Sequence, residues 1–188
     1  MTRYDFLLFL HISGAAIWIG GGAMMQFFGF RALAVGSADR LVAFTRDMEW
    51  IGPRVMSPAS GGAFLAGLAL VWDAPYWDFG DDWILIGLGL FAFTFLASNL
   101  YFGPEIARLG KQVAAKGGVT PELAARIARV VVLGRIDLVV LFLLVFDMSV
   151  KPSFSDGWTI IGALVAGAAV SVLLVLMPGR QASAMATE

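Results

Sequence analysis

The sequence predicts an all-α membrane protein, a polytopic bundle of about five transmembrane helices. Of its 188 residues, 59% are hydrophobic and only 14% are charged, and the mean hydropathy is +0.82. Soluble domains usually carry about 25% charged residues. A small soluble domain has a large surface for its volume, and so few charged residues would leave much of that surface apolar. A bilayer removes the problem because it solvates apolar surface, so we expect almost nothing of the chain to lie outside it.

Five apolar segments are long enough to cross a bilayer, which takes roughly 20 residues. We predict spans over residues 6–30, 51–72, 83–102, 130–150 and 158–177. Residues 1–180 then form one transmembrane domain, and residues 181–188 are expected to be a disordered cytoplasmic tail. Ser37 and the pair Thr120-Pro121 predict helix starts within the two long connections.

The charges of the connections predict the orientation. The connections over residues 31–54 and 103–129 carry nine Arg and Lys residues, whereas the connection over 73–82 carries four Asp and no base. The positive-inside rule therefore places the N-terminus outside and the C-terminus in the cytoplasm. We expect a multi-pass protein of the inner (cytoplasmic) membrane.

Polar residues inside the spans are functional candidates by default, because a bilayer makes them costly. Helix direction sorts them into two levels at about 1.5 Å rise per residue. The outer level holds His11, Asp147 and Met148. The inner level holds Arg54, Asn99, Tyr101, Arg135 and Asp137. Arg54 is one expected partner for Asp137, and the inner residues otherwise serve as interhelical hydrogen-bonding groups or snorkel to the surface.

The helix face around His11 is the strongest candidate for a cofactor site. Small residues and one indole, Trp18, follow the histidine along this face, and Gly21 lies among three consecutive glycines. Either another helix backbone or a flat ligand would fill that groove. Imidazole and thioether are both haem ligands, so His11 is a candidate metal ligand with Met148 as a second. Alternatively, Asp147 would accept a hydrogen bond from the other ring nitrogen, and both roles fit only one rotation of the helix that carries Asp147 and Met148. The alternative is a histidine hydrogen-bonded between helices.

Short motifs resemble a known superfamily. His11, Trp18 and the following glycines are similar to the opening pattern of CopD-like proteins. Met48-Glu49, Pro58-Ala59 and Gly67-x-Ala69-Leu70 resemble the HemJ-type membrane protoporphyrinogen oxidases, as does the Lys151-Pro152 ending. The chain is closer still to an uncharacterised bacterial integral membrane family, a domain of unknown function, in that superfamily.

The resemblance implies a helical bundle, often dimeric, in which His11 binds haem b. The activity that it would imply is that of a protoporphyrinogen oxidase-like membrane oxidoreductase. Those enzymes carry a lysine early in the third span, where this chain has residues 83–87 without one, and they have further histidines, which this chain lacks. The resemblance therefore implies a haem-binding, redox-related relative rather than that oxidase.

The sequence leaves three functions open. The first is haem binding through His11. The second is a proton or metal (copper-type) carrier that uses the polar residues of both levels. The third is a structural accessory subunit, which would also suit a homodimer. No cysteine and no nucleophile–base pair is present, and the net charge of −1 argues against a nucleic-acid partner.

Overall fold

The computed structural model describes residues 2–176, and every regular element in that part is helical. The helices are α1 (Arg3–Val35), α2 (Ala38–Ile51), α3 (Ser57–Asp73), α4 (Asp82–Ala97), α5 (Gly103–Lys116), α6 (Pro121–Val150) and α7 (Gly157–Leu176). Two π-helical turns, Gly52–Met56 and Ser98–Phe102, join α2 to α3 and α4 to α5 without a break. Within the described residues the chain therefore forms five continuous rods.

The predicted all-α membrane bundle is confirmed. Three rods in the described range are long and apolar enough to cross a membrane: Arg3–Val35, Ala38–Asp73 and Asp82–Lys116. The apolar stretch of α6 is interrupted by Arg135, Asp137 and Asp147. The apolar stretch of α7 is shorter. The predicted tail over residues 181–188 lies outside the described residues.

Local sequence signals set the helix ends. The Ser37 hydroxyl accepts a hydrogen bond from the Arg40 amide, and the Thr120 hydroxyl accepts one from the Leu123 amide, so both predicted starts are correct. Gly36 and Gly117 end α1 and α5 in the left-handed region, at φ of 67° and 65°. Glycine adopts this conformation without the steric cost that a Cβ brings.

Some of the helical rods are longer than the hydrocarbon core of a bilayer is thick. The rod Ala38–Asp73 has 36 residues, about 54 Å of helix, whereas a hydrocarbon core is about 30 Å thick. The predicted connections over 31–54 and 103–129 are mainly helical extensions of the spans. Leu41, Leu109, Leu123 and Ile127 bury a common core there. We call this the basic end of the bundle.

The packing partners of the rods define an interior. α1 packs most extensively against α3 and also contacts α6, while α4 and α7 pack on α6. α3 and α4 follow one another in the chain but barely approach each other at the backbone. Large side chains bridge that gap, because Phe64 and Phe91 stack with ring centroids 4.2 Å apart.

The opposite, acidic end holds the connections over 74–81 and 151–156. Lys151 caps α6 with a left-handed φ of 51°. Its ammonium lies 4.1 Å from the ring centroid of Trp77 and 5.2 Å from that of Trp83. The Asp82 carboxylate accepts hydrogen bonds from the Ser153 hydroxyl and the Phe154 amide. The Lys-Pro segment therefore fastens the end of α6 to the start of α4.

Candidate functional site

A central cavity of about 730 Å³ lies between α1, α6 and the two rods that contain π-helical turns. It occupies the middle of each rod. Its apolar lining includes Trp18, Met25, Phe44, Met48, Met56, Phe91, Phe95 and Leu141, and its polar lining includes Gln26, Glu49, Arg54, Ser57, Ser60, Ser98, Asn99 and Asp137. An apolar wall with a few polar groups is typical of a small-molecule site.

Both π-helical turns border the cavity, and each is associated with a Gly-Pro pair. Pro53 lies inside the first turn, and Pro104 follows the second. Proline lacks the amide that a helix needs and clashes with the preceding turn. The register slips by one residue instead: the Ser57 amide bonds to the Gly52 carbonyl, and the Gly103 amide bonds to the Ser98 carbonyl. Such turns in long helices often mark functional sites.

Two acceptor oxygens in the cavity wall have no partner among the described residues. They are Asp137 Oδ1 and Gln26 Oε1, and both are buried. The Gln26 amide packs on Gly134 of α6, where a larger residue would collide with it. The Glu49 carboxylate lies in the same way against Gly110 of α5. Buried acceptors usually have a partner, so these oxygens mark a place where a ligand or water is expected.

Several hydrogen-bond donors in the wall bond to backbone carbonyls. The Ser57 and Ser60 hydroxyls donate to the Gly52 and Ser57 carbonyls at 3.3 and 3.1 Å. Asn99 Nδ2 donates to the Phe95 carbonyl at 2.8 Å. Arg54 donates to the Trp50 carbonyl and lies over the Trp50 ring, 5.3 Å from its centroid.

Aromatic side chains close the cavity toward the acidic end. Trp18 meets Phe91 edge to face, with centroids 5.6 Å apart, and Phe91 stacks on Phe64 and Phe95. These four residues form a layer that crosses from α1 to α3 and α4. We call it the aromatic layer.

His11 lies on the far side of the aromatic layer. Its Nδ1 lies 2.7 Å from the Ala63 carbonyl oxygen, and the ring packs on Gly67 of α3. The carbonyl only accepts, so Nδ1 carries the proton and Nε2 is the basic nitrogen. No hydrogen bond or ion pair joins Nε2 to another described residue.

Asp147 and Met148 face a different neighbour. Both pack against Gly87 of α4. Asp147 is 1% exposed, and neither carboxyl oxygen has a partner among the described residues. The expected hydrogen bond from the imidazole to the Asp147 carboxylate is therefore absent, and Nδ1 donates to the Ala63 carbonyl instead. Equal depth did not bring His11 and Asp147 onto facing sides of their helices.

Comparison with known proteins identifies the family. Residues 5–152 match the model of a family described as predicted integral membrane proteins, DUF2269. The chain belongs to this family. No curated protein and no solved structure shows a significant match. The family match covers α1 to α6 and ends in the connection before α7.

In this DUF2269 protein the predicted site residues divide between the cavity and the surrounding packing. Trp18, Arg54, Asn99 and Asp137 line the cavity. The ion pair expected between Arg54 and Asp137 is not made. Arg54 binds Trp50 instead.

The other predicted residues have packing partners. The space beside Gly21 is filled by the Met56 side chain, so a helix side chain rather than a flat ligand fills that part of the groove. Arg135 lies over the Phe30 ring, 5.5 Å from its centroid. Tyr101 meets Phe102 edge to face. No group of three or more potential His or carboxylate metal ligands occurs within the described residues.

Sequence reasoning missed Gln26, Glu49 and the two π-helical turns of the DUF2269 protein. Gln26 lies in a predicted span, but its neutral amide gives a weaker signal than a charge. The Gly-Pro pairs at 52–53 and 103–104 coincide with the ends of predicted spans, which hid their place inside longer helices. The signal in the sequence that corresponds to the cavity is a Gly-Pro pair at the end of a long apolar segment.

Proposed function

We propose that this DUF2269 protein is a membrane-embedded binding protein of the carrier class, whose ligand is a small amphipathic molecule in the central cavity. The observation that supports this is the cavity of about 730 Å³ between the four longest rods. Small-molecule sites span about 300–1,000 Å³ and combine apolar walls with few polar groups. The cavity matches both properties.

The aromatic layer supports the carrier class in particular. It separates the cavity from the acidic end, and the lining also includes exposed residues such as Glu49, Arg54 and Asn99. A carrier requires a site that is closed on one side at a time. The π-helical turns beside the cavity are places where the register of a helix changes easily.

Two adjacent glycines give a matched test. Gly61 lines the cavity, and a Cβ there would meet open space, as it also would at Gly62, which is exposed and does not line it. Gly61→Phe should fill the cavity, and Gly62→Phe should leave it empty. The three proteins are purified in mild detergent, and the small molecules extracted from each are compared by mass spectrometry.

A species present with the native protein and Gly62→Phe, but depleted with Gly61→Phe, would support the proposal. Identical extracts from all three would count against it. Cu(I) binding is measured on the same samples, because the thioethers of Met25, Met48 and Met56 line the cavity and thioethers favour Cu(I).

A second candidate function is haem b binding at His11, with the redox role that the motif resemblance suggests. The hydrogen bond from Nδ1 to the Ala63 carbonyl supports it. A histidine that binds a metal through one ring nitrogen usually donates a hydrogen bond from the N–H of the other. This bond fixes the tautomer and the ring orientation. A bound haem would supply one-electron chemistry. Met148 packs on α4 rather than beside the ring, so the structure offers no support for it as second ligand.

The absorption spectrum tests this candidate. The chain has a single histidine, so His11→Ala removes every imidazole. Protein expressed with haem supplied should show a Soret band that His11→Ala loses and Gly62→Phe keeps. An unchanged band in His11→Ala, or no band in any sample, would exclude His11 as a haem ligand.

A further inference from the structure

We infer that the ligand of the central cavity is a lipophilic cation, bound through Asp137 and Gln26. This inference rests on the proposed function and specifies the chemical class of the ligand. It follows from which hydrogen-bonding groups in the wall are already used and which are free.

Several donors of the wall already bond to the backbone of their own rods. The hydroxyls of Ser57 and Ser60 and an amide N–H of Asn99 all donate to backbone carbonyls of their own rods. Arg54, the cation in this part of the wall, donates to the Trp50 carbonyl and stacks on the Trp50 ring. These particular donor groups are therefore not free to bind an anionic ligand.

The acceptors are not committed. Asp137 Oδ1 and Gln26 Oε1 are both buried and have no hydrogen-bond partner among the described residues. Both side chains line the cavity, from α6 and α1. A buried acceptor without a partner costs free energy. A ligand that brings positive charge or N–H groups to these two oxygens removes that cost, so its binding is favoured.

The carboxylates and aromatic rings of the wall favour the same sign of charge. Asp137 and Glu49 are both in the lining, and a buried carboxylate is stabilised by a cation in contact with it. Trp18, Phe44 and Phe95 contribute further aromatic rings to the lining. Aromatic faces attract cations and repel anions, because the face of the ring is negative.

The class of ligand is set by the remaining wall. Met25, Met48, Met56, Phe44 and Phe95 cover the sides of the cavity around the polar groups. An inorganic cation would leave these surfaces without a partner. A cation that carries apolar groups satisfies both parts of the wall and also dissolves in a bilayer.

Two probes of the same shape and opposite charge test the inference. Tetraphenylphosphonium and tetraphenylborate are each dialysed to equilibrium against the full chain in detergent micelles. Binding to the cavity is defined as the part that Gly61→Phe removes and Gly62→Phe keeps, which corrects for partition into the micelle. We expect such binding for tetraphenylphosphonium, at least about tenfold tighter than for tetraphenylborate.

Two acids of α6 provide the matched variants. Asp137→Asn should weaken tetraphenylphosphonium binding about tenfold, as expected for a close charge pair. Asp147→Asn is the same substitution in the same helix, outside the cavity lining, and should leave binding unchanged. Gln26→Met keeps the length of the side chain, removes the acceptor, and should weaken binding as well.

The outcomes separate the two proposals. Tighter binding of tetraphenylborate, or tetraphenylphosphonium binding unchanged in both Asp137→Asn and Gln26→Met, would overturn the cation inference and leave the proposed function standing. Absence of any Gly61-dependent binding for both probes would also overturn the cation inference, whereas the proposed function is overturned only by identical extracts from the native protein, Gly61→Phe and Gly62→Phe.

Discussion

At the scale of single residues, the contact between Gly87 and Asp147 shows how tightly α4 and α6 approach. A Cβ at residue 87 would lie 2.9 Å from Asp147 Oδ2 and closer still to the Met148 methyl group. Asp147 is 1% exposed, so its side chain has little room to move. The absence of a side chain at Gly87 is what allows a carboxyl group to be buried at this point.

We therefore predict that Gly87→Ala destabilises the protein by about 1–3 kcal/mol, the usual cost of inserting a methyl group into a packed interior. Thermal unfolding in detergent, followed by circular dichroism, measures it. Gly89→Ala is the control on the same helix, because a Cβ there meets open space. It should be neutral or stabilising by up to about 1 kcal/mol. Equal midpoints for the two variants would contradict the packing argument.

At the scale of elements, the two Gly-Pro pairs explain both the shape of the rods and the error in the predicted spans. Proline removes one helical hydrogen bond and usually ends a helix at or before the residue that precedes it. One reason is a clash between the proline ring and the Cβ of the preceding residue. Glycine has no Cβ. With Gly52 and Gly103 before the prolines, the helix continues through a π-helical turn instead of ending.

Pro53→Ala should restore a regular helix between α2 and α3. Interior proline costs a helix about 3 kcal/mol, so we expect a higher unfolding midpoint. We also expect weaker tetraphenylphosphonium binding, because Gly52, Pro53 and Arg54 would leave their places in the cavity wall. Pro58→Ala removes a proline from the same rod but outside the lining, and should not affect binding. A gain in stability with unaltered binding would mean that the π-helical turn does not shape the cavity.

Hydropathy predicted a bundle of five helical rods, but neither hydropathy nor helix direction predicts the rotation of each rod about its axis. His11 and Asp147 share one predicted level, yet His11 contacts α3 and Asp147 contacts α4. Four of the candidate residues do line the cavity, namely Trp18, Arg54, Asn99 and Asp137. The ion pair predicted between Arg54 and Asp137 is not formed. Rotation depends on how neighbouring side chains fit together, and one sequence carries little information about that.

At the scale of the whole molecule, α7 differs from the other rods. It packs on α6, where Gly167 receives the Leu143 side chain, and Trp158 at its start is 89% exposed. Its described residues contribute nothing to the cavity lining, and the family match ends before it, at residue 152. The cavity and the helix that follows it are thus separable features.

A chain truncated after Asp156 should therefore keep the cavity. Asp156 is retained because its carboxylate accepts a hydrogen bond from the Ser153 amide. We expect the truncated protein to bind tetraphenylphosphonium as the full chain does, within about twofold, when both are measured by the same dialysis. Loss of binding in a truncated protein with unchanged helical content would show that α7 supports the site from outside its lining.

The two ends of the molecule give the orientation prediction a direct test. Nine of the Arg and Lys residues lie over 31–54 and 103–129, toward the basic end, whereas the connection over 73–82 at the acidic end holds four Asp. Because cytoplasmic segments carry the excess of positive charge, the acidic end should face outward. The chain has no cysteine, so a single introduced thiol reports without background.

Phe79→Cys places an exposed thiol at the acidic end, and Lys116→Cys places one at the basic end. In intact cells, a membrane-impermeant maleimide should label Phe79→Cys and leave Lys116→Cys unlabelled until the membrane is permeabilised. The reverse labelling pattern would show that the bundle has the opposite orientation in the membrane. In the predicted orientation the aromatic layer lies on the outer side of the cavity and closes it toward the outside. In the inverted orientation the same layer would close the cavity toward the cytoplasm, so the labelling result decides which side of the membrane the aromatic layer faces.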